Sequence, residues 1–141
     1  LVGLGGREKM LNYDHDLICG VKNPIGLKIP ISARNGEASC EWTVTENFVG
    51  YDTILHGGII ASILDNLMIF ACRSQMELDL VTANLNVNYR HFAHVGDHLS
   101  GFGRMVSNEP GSRKVFAEAK LYCDNTLIAE ASGINVIVYP K

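Results

Sequence analysis

The longest apolar stretch of the chain runs from Leu55 to Cys72, and the rest of the hydrophobic pattern is arranged around it. It contains helix formers, no proline, and apolar residues on nearly every side of the helix it would form. This distribution predicts a helix that is buried on all faces. Two features are unusual in a core helix: it opens on His-Gly-Gly at positions 56–58, and it carries one carboxylate, Asp65.

Much of the remaining chain alternates between apolar and polar residues, which is the two-residue period of half-buried strands. We predict strands over residues 27–33, 37–45, 80–90, 98–106, 114–123 and 126–138, with a polar connection over 73–79. One long helix and about six turn-linked strands indicate an α+β architecture, an antiparallel sheet curled around the helix.

Three details sharpen this expectation. Pro30 confines the first strand to a sheet edge or a bulge. Residues 81, 83, 85, 87 and 89 of the third strand are expected to share one face, opposite an amide-rich row. In the last strand the apolar phase shifts at Gly133, which predicts a bulge there.

Length and composition narrow the class of protein. At 141 residues the chain is most simply one domain, and its net charge of −3 gives no basic footprint for nucleic acid. The polar pair Asp65-Asn66 interrupts the apolar stretch and argues against a membrane span. Four widely spaced cysteines indicate free thiols in a reducing compartment, so we expect a cytoplasmic protein without a metal or redox cofactor. The chain begins at Leu1 and Met10 is a candidate native start, so residues 1–9 are set apart as foreign to the protein or part of a precursor.

The helix start and Asp65 together suggest a site. The first N–H groups of a helix have no internal partner, and glycines let an anion or a carbonyl oxygen approach them closely. Asp65 lies seven residues beyond Gly58, or about 10 Å along the helix axis. One reacting carbonyl cannot contact both on the same helix, so a second, antiparallel helix is required. We therefore expect a symmetric dimer with two interfacial sites.

These residues also resemble a known family. His-Gly-Gly at 56–58, with Asp65 nine residues after the histidine, is similar to the hotdog-fold acyl-CoA thioesterases of the phenylacetate-degradation (PaaI-like) type. The likeness extends to Asn-Pro-Ile-Gly-Leu at 23–27 and to Thr-Ala-Asn-Leu-Asn-Val-Asn-Tyr at 82–89. Those flanks look most like the subgroup that includes the human thioesterase superfamily member 4. The resemblance implies an N-terminal segment, residues 1–18, and a hotdog thioesterase domain, residues 19–141.

The resemblance also implies an activity and roles. The protein would hydrolyse acyl-CoA to acid and CoA as a dimer or dimer of dimers, with no cofactor. Asp65 would be the general base or the nucleophile. The Gly57 amide would polarise the thioester carbonyl, His56 would position the thioester, and Thr82 would help hold the water or the aspartate. Substrate-binding positions would be Gly50, Tyr51, Gly58, Asn84 and Asn86.

One departure concerns Gly50, six residues before His56, because several relatives carry Asn or Gln at that position. Without that amide, placement of the water is left to Thr82 or to backbone groups.

Alternatives remain open at this point. Asp65 could be a structural residue satisfied by Ser62, Asn66 or a helix end, and His91, His94 and His98 could share a metal, although solvated turn residues are the simpler interpretation. At the level of function, the alternatives are a non-catalytic acyl-CoA-binding sensor or scaffold and a dehydratase acting on 3-hydroxyacyl thioesters.

Overall fold

The computed structural model describes residues 11–138, which form a six-stranded antiparallel sheet wrapped around one long helix. The predicted α+β hotdog architecture is confirmed. The start of the chain and the question of Met10 lie outside the described residues. The elements, in chain order, are β1 (Ile31–Arg34), β2 (Glu37–Thr43), a 3₁₀ turn (Glu46–Phe48), α1 (Gly57–Met76), β3 (Leu80–Tyr89), β4 (His98–Asn108), β5 (Lys114–Cys123) and β6 (Thr126–Ile137). In space the strands follow the order β1-β2-β4-β5-β6-β3.

The helix α1 fills the curl of the sheet, and its middle is buried almost all round, as its composition predicts. It continues past Cys72 to Met76, so the prediction of a polar connection from residue 73 was wrong. Polar residues are tolerated there because they meet partners: the Arg73 guanidinium lies 4.8 Å from the ring centroid of Tyr13. The helix ends at Glu77, which adopts a left-handed conformation (φ 54°) and donates its N–H to the Arg73 carbonyl.

Two glycines of β4 set how closely the helix approaches the sheet. A Cβ added at Gly103 would lie 2.6 Å from the Leu67 carbonyl oxygen, and one at Gly101 would lie 2.7 Å from the Leu67 side chain. The close neighbour of these glycines is Leu67 of α1, whose backbone lies against Gly103. The close approach fixes the rotation of the helix, and hence the direction in which Asp65 points.

The bulge near Gly133 does not lie where the sequence predicted it. In β6, residues 129, 131, 133, 135 and 137 are all buried, so the inward phase continues through Gly133 and the predicted bulge there is wrong. The apolar Ile134 and Val136 lie on the other face, while a polar residue, Asn135, occupies the inward position. β6 has its own extra residue at Ile128, where it pairs with β5, and the irregularity near Gly133 lies on β3, where Ala83 is an extra residue between Thr82 and Asn84.

This bulge changes which residues of β3 face the helix. Before it, Leu80 and Thr82 point inward and Val81 is exposed; after it, Leu85 and Val87 pack against the core. The prediction that the odd-numbered residues from 81 to 89 share one face was therefore wrong for Val81 and Ala83. The consequence is that a hydroxyl, that of Thr82, faces the middle of α1.

The first strand is short and lies at the sheet edge. It begins directly after Pro30, so the edge position is confirmed, while residues 27–30 belong to the preceding irregular chain. That N-terminal segment, residues 11–30, packs on the domain: Ile18, Leu27 and Ile29 are part of the core. The packed structure thus includes residues before position 19.

By length and composition α1 could also cross a membrane, with a mean hydropathy of 1.2. Here its apolar residues face the six strands, and a buried core helix of a soluble protein meets the same criteria.

Candidate active site

Asp65 lies on the half-buried side of α1 and meets Thr82 of β3. The Thr82 hydroxyl donates a hydrogen bond of 2.5 Å to Asp65 Oδ1. Burial raises the pKa of Asp65 above its usual range; the Thr82 hydrogen bond lowers the pKa in part, and the negative charge of Asp16 raises it further. The carboxylate is thus held in one orientation and made more basic than an exposed aspartate.

The structural alternatives for Asp65 can be compared with these contacts. Ser62 donates to the Gly58 carbonyl (2.8 Å), and Asn66 donates to Asp16 (2.6 Å). Neither of these neighbours satisfies Asp65. Among the described residues, Thr82 is the one side chain that donates a hydrogen bond to the Asp65 carboxylate. The bond is made to Oδ1, which leaves Oδ2 available to a ligand.

His56 caps the start of α1. Its Nδ1 accepts the Gly58 N–H at 2.8 Å, and its own N–H donates to the Phe48 carbonyl. Because Nδ1 accepts, the proton of the neutral ring is on Nε2, which points away from the cap. The ring is therefore held in place by the helix start, as a positioning role requires.

The cap leaves a different amide available. The Gly58 N–H is taken by His56, whereas the Gly57 N–H has no acceptor among residues 11–138. The Gly57 carbonyl oxygen accepts the Tyr89 hydroxyl at 2.7 Å. The hydrogen-bond donor that remains open at this helix end is the Gly57 amide, the group that the resemblance assigns to the thioester oxygen.

Sequence reasoning missed Tyr89 as a residue of this region. It occurs in the strand motif at 82–89, but alternation alone indicates only that its side chain points inward. Its proximity to Gly57 depends on how β3 lies along α1, so no local signal in the sequence reveals it.

Asp65 and Gly57 are not brought together within one chain. They are eight residues apart on the same continuous helix, a separation of about 12 Å along its axis. Both groups contact β3, an edge strand of the sheet: Asp65 is bonded to Thr82, and Gly57 is bonded to Tyr89.

The predicted substrate-binding residues fall in two places. Gly50 lies beside His56: a Cβ there would be 3.6 Å from the His56 Cα, an ordinary contact that leaves room for a side chain. Tyr51, next to it, is exposed. Asn84 and Asn86 lie on the face of β3 that points away from the helix, where the Asn86 amide donates to the Asn84 oxygen at 2.6 Å. The chain therefore does not bring these two amides to its own Asp65.

A second carboxylate lies near Asp65, and it was not among the predicted site residues. Asp16 Oδ2 accepts the Asn66 side-chain amide (2.6 Å), the backbone N–H groups of Ile18 (2.9 Å) and Cys19 (3.0 Å), and the Cys19 thiol (3.4 Å). Burial alone would raise the pKa of Asp16, but these donors outweigh it and the pKa is lowered. Burial beside Asp16 raises the pKa of Cys19 to about 12, so this thiol stays protonated and donates.

The three clustered histidines each have a local partner. His91 contacts the Leu127 carbonyl, His94 lies near Asp97, and His98 is bonded to Glu41 and Thr43. Within residues 11–138, no three His, Cys, Asp or Glu side chains are grouped so as to hold a metal ion.

A cleft of about 840 Å³ opens on the outer face of β1, β2, β4 and β5. Charged residues line it, among them Arg34, Arg104 and Lys120. The sheet separates this cleft from Asp65, so the cleft and the chemically distinctive groups do not coincide. We assign the site to the groups around α1, because they combine an oriented carboxylate with an open amide.

Comparison with known proteins identifies the family. The sequence profile of the Thioesterase superfamily matches residues 53–129, more than half of the chain and the part that contains α1, Asp65 and Thr82. The chain belongs to the Thioesterase superfamily. A Pseudomonas aeruginosa relative named "Putative esterase" is 29% identical over 93 residues, covering 64% of this chain and 68% of the relative.

Two solved structures share the fold of this chain. A hypothetical thioesterase of Streptococcus pneumoniae, solved with coenzyme A, superposes with a TM-score of 0.73 at 19% identity, over 80% of this chain and 88% of that one. The PaaI protein of the Escherichia coli phenylacetic acid degradation operon superposes with a TM-score of 0.70 at 21% identity, over 78% and 83%.

Proposed function

We propose that this superfamily member is an acyl-CoA thioesterase in which Asp65 acts as general base and the Gly57 amide polarises the thioester carbonyl. The observation that carries the proposal is the half-buried Asp65 carboxylate, whose pKa is raised by burial and whose orientation is fixed by Thr82. The coenzyme A bound to the streptococcal thioesterase supports a CoA thioester as the substrate class. The motif at 23–27 supports the subgroup that includes the human thioesterase superfamily member 4.

The chemistry requires one proton acceptor and one oxyanion donor. Asp65 takes a proton from a water molecule while the water oxygen bonds to the thioester carbon. The Gly57 N–H, at the positive end of the α1 dipole, stabilises the charge that develops on the carbonyl oxygen. The carbon–sulfur bond then breaks, and the CoA thiolate leaves and takes up the proton. A carboxylate with a raised pKa is the stronger base for the first step.

The distance between Asp65 and Gly57 leads us to infer a two-fold dimer. The edge strand β3 contacts Asp65 through Thr82 and Gly57 through Tyr89. If two β3 strands pair antiparallel about a centre between residues 85 and 86, Thr82 of one subunit faces Tyr89 of the other. Each Asp65 then comes close to the Gly57 amide of the other subunit, and the dimer has two sites.

Pairing through β3 would also occupy its open edge, which in one chain presents unpaired backbone groups and the exposed Val81. Two such dimers would form the tetramer suggested by the resemblance. Four cysteines, none of them in a disulfide, suit a reducing cytoplasmic location.

Thiol release from short, long and aromatic acyl-CoAs is the direct test, with native protein compared with Asp65→Asn. Asp124→Asn is the matched control, because Asp124 lies in the exposed β5–β6 turn with φ 52°, a conformation that Asn tolerates. We expect turnover that is lost in Asp65→Asn and kept in the control, with CoA binding retained in both. Binding without turnover in the native protein would replace the enzyme with a non-catalytic acyl-CoA-binding protein.

The shared site can be tested by mixing variants. Gly57→Pro removes the amide N–H at the first helical position, where proline is well tolerated, and the His56 conformation (ψ 131°) suits a following proline. Gly57→Ala keeps the N–H and serves as the control. Refolding Asp65→Asn together with Gly57→Pro should restore about a quarter of native activity, because half of the dimers would be mixed and each would hold one intact site. No recovery on mixing would place both groups in one subunit.

A further inference from the structure

The turn that presents Asp16 is built with unusual tightness. A Cβ at Gly20 would lie 2.4 Å from the Asp16 backbone nitrogen, so only glycine closes the turn. The motif at 23–27 holds the turn from outside: the Asn23 side-chain amide donates to the His15 carbonyl (3.0 Å), and Leu27 N–H donates to the Leu17 carbonyl (3.0 Å). The position of Asp16 is thus specified by the segment before β1.

The turn is attached to the helix beside Asp65. Asn66, the residue that follows Asp65, is buried, and its amide donates to Asp16 Oδ2 at 2.6 Å. This bond joins chain positions that are 50 residues apart, and it fixes the helical turn on which Asp65 is located.

The electrostatic surroundings of Asp65 are one-sided. The N-terminal segment contributes the Asp16 carboxylate, β3 contributes the neutral Thr82 hydroxyl, and α1 contributes the neutral Asn66 amide. The nearest cation along the helix, Arg73, points to Asp79 and the Leu11 carbonyl. Among the described residues, the charge that acts on Asp65 is that of Asp16, and no cation is found to compensate it.

We propose that Asp16 is a positioning residue of the site: it anchors the turn of α1 that carries Asp65, and its negative charge makes the Asp65 carboxylate more basic. Only one part of this inference rests on the proposed function, namely that Asp65 acts as the base of the reaction. The four donors lower the pKa of Asp16 while burial raises that of Asp65, so Asp16 ionises at lower pH than Asp65. A fixed anion close to a general base disfavours ionisation of that base and strengthens it.

The test is a ¹³C-carboxyl NMR titration of the full chain, with Asp65 assigned by comparison with Asp65→Asn. In Asp16→Asn, which keeps an acceptor for the turn and removes the charge, we expect the Asp65 pKa to fall. The acid limb of kcat/KM, which reports the base in the free enzyme, should move to lower pH by the same amount. Asp14→Asn is the matched control, because Asp14 lies two residues away and its carboxylate pairs with the exposed Lys22. It should leave both quantities unchanged.

Two results would overturn the proposal. An Asp65 pKa that is unchanged in Asp16→Asn overturns the proposal. A lower plateau of kcat/KM with an unmoved acid limb also overturns it, since that is the signature of a merely structural role. If Asp16→Asn does not fold, Asp16→Ser supplies a neutral hydroxyl acceptor for the same turn and is titrated instead. Because the NMR titration needs no turnover, a protein without thioesterase activity would contradict the proposed function and leave the Asp16 test intact.

Discussion

Asp65 lies on α1 and Asp16 is hydrogen-bonded to the next helix residue, Asn66, yet the pKa values of the two aspartates move in opposite directions. Both are half-buried, and burial alone raises the pKa of each. Asp16 receives four donors on a single oxygen, so its pKa is lowered; Asp65 receives one donor, from Thr82, and its pKa stays raised. The number of donors, together with the deeper burial of Asp65, separates a carboxylate that holds the structure together from one that can take a proton.

The two carboxylates therefore suit different roles. A carboxylate whose charge is fully hydrogen-bonded contributes to stability and is a weak base. One that is left partly unsatisfied costs stability and is a stronger base. The chain places the two side by side, so the stable anion raises the basicity of the reactive one. The following variants test this contrast, from the largest expected effect to the smallest.

Asp65→Asn should give the largest change in rate and a change of opposite sign in stability. We expect kcat/KM to fall by about 10²–10⁴-fold, the usual contribution of a general base. The pKa of Asp65 is raised in the fold, so its ionisation opposes folding once the pH exceeds the unfolded value, and removing it should raise the free energy of unfolding at pH 7 by about 1 kcal/mol. Urea denaturation at pH 7 measures this gain. A less stable Asp65→Asn protein would mean that the carboxylate is structural.

Thr82→Val should make Asp65 still less like Asp16 by removing its one donor. Thr82 fixes the orientation of the Asp65 carboxylate, and loss of this bond of about 1.5 kcal/mol should lower the plateau of kcat/KM roughly tenfold, because misorientation outweighs the gain in basicity. The acid limb of the pH profile should move to higher pH, since the Thr82 bond lowers the Asp65 pKa. Thr82→Ser keeps the hydroxyl and should retain both the rate and the profile. Equal losses in the two variants would point to packing of the methyl group instead.

Asp16→Asn should lower the free energy of unfolding, whereas Asp65→Asn should raise it. The folded pKa of Asp16 is lowered, so its stabilisation is present above the unfolded pKa and is lost as the pH falls through the folded value. We expect a loss of about 1 kcal/mol at pH 7 that shrinks progressively below about pH 4. Urea midpoints at pH 7 and in acid measure it. A deficit that persists unchanged in acid would show that the charge is not its source.

Asp14→Asn should have the smallest effect. Asp14 lies in the same turn region, but its carboxylate pairs at 3.3 Å with the exposed Lys22. Such surface pairs contribute less than about 0.5 kcal/mol in most proteins. Its urea midpoint should match that of the native protein within error. A loss as large as that of Asp16→Asn would remove the contrast between the two positions.

The sequence was informative wherever local pattern and local chemistry coincide. The period of two predicted the strands, and the apolar stretch from Leu55 predicted the buried helix, because both signals depend on neighbouring residues alone. The significance of Asp65 followed from one carboxylate among apolar side chains. The value of Gly57 followed from the orphan N–H groups of any helix start, and the resemblance added Thr82.

What the sequence could not give depends on register and on distant contacts. Asp16 lies in a stretch without periodicity, and its partner Asn66 is 50 residues away. Asn135 is a polar residue at a buried, inward position of β6. A prediction that assigns only apolar residues to the inward face therefore fails there. The bulge at Ala83 leaves no mark in composition, although it decides that Thr82 faces Asp65.

That bulge also divides β3 into two parts with opposite rules for substitution. Before Ala83 the even-numbered positions, Leu80 and Thr82, are enclosed; after it the odd-numbered positions, Leu85 and Val87, are enclosed. A charge introduced at residue 81 or 86 should therefore be tolerated by the isolated subunit, whereas one at residue 80 or 85 should not. Because Ala83 is the extra residue, its deletion would leave Thr82 and Leu85 on the inward face, whereas deletion of any other residue of β3 would reverse the facing of the residues on one side of the gap.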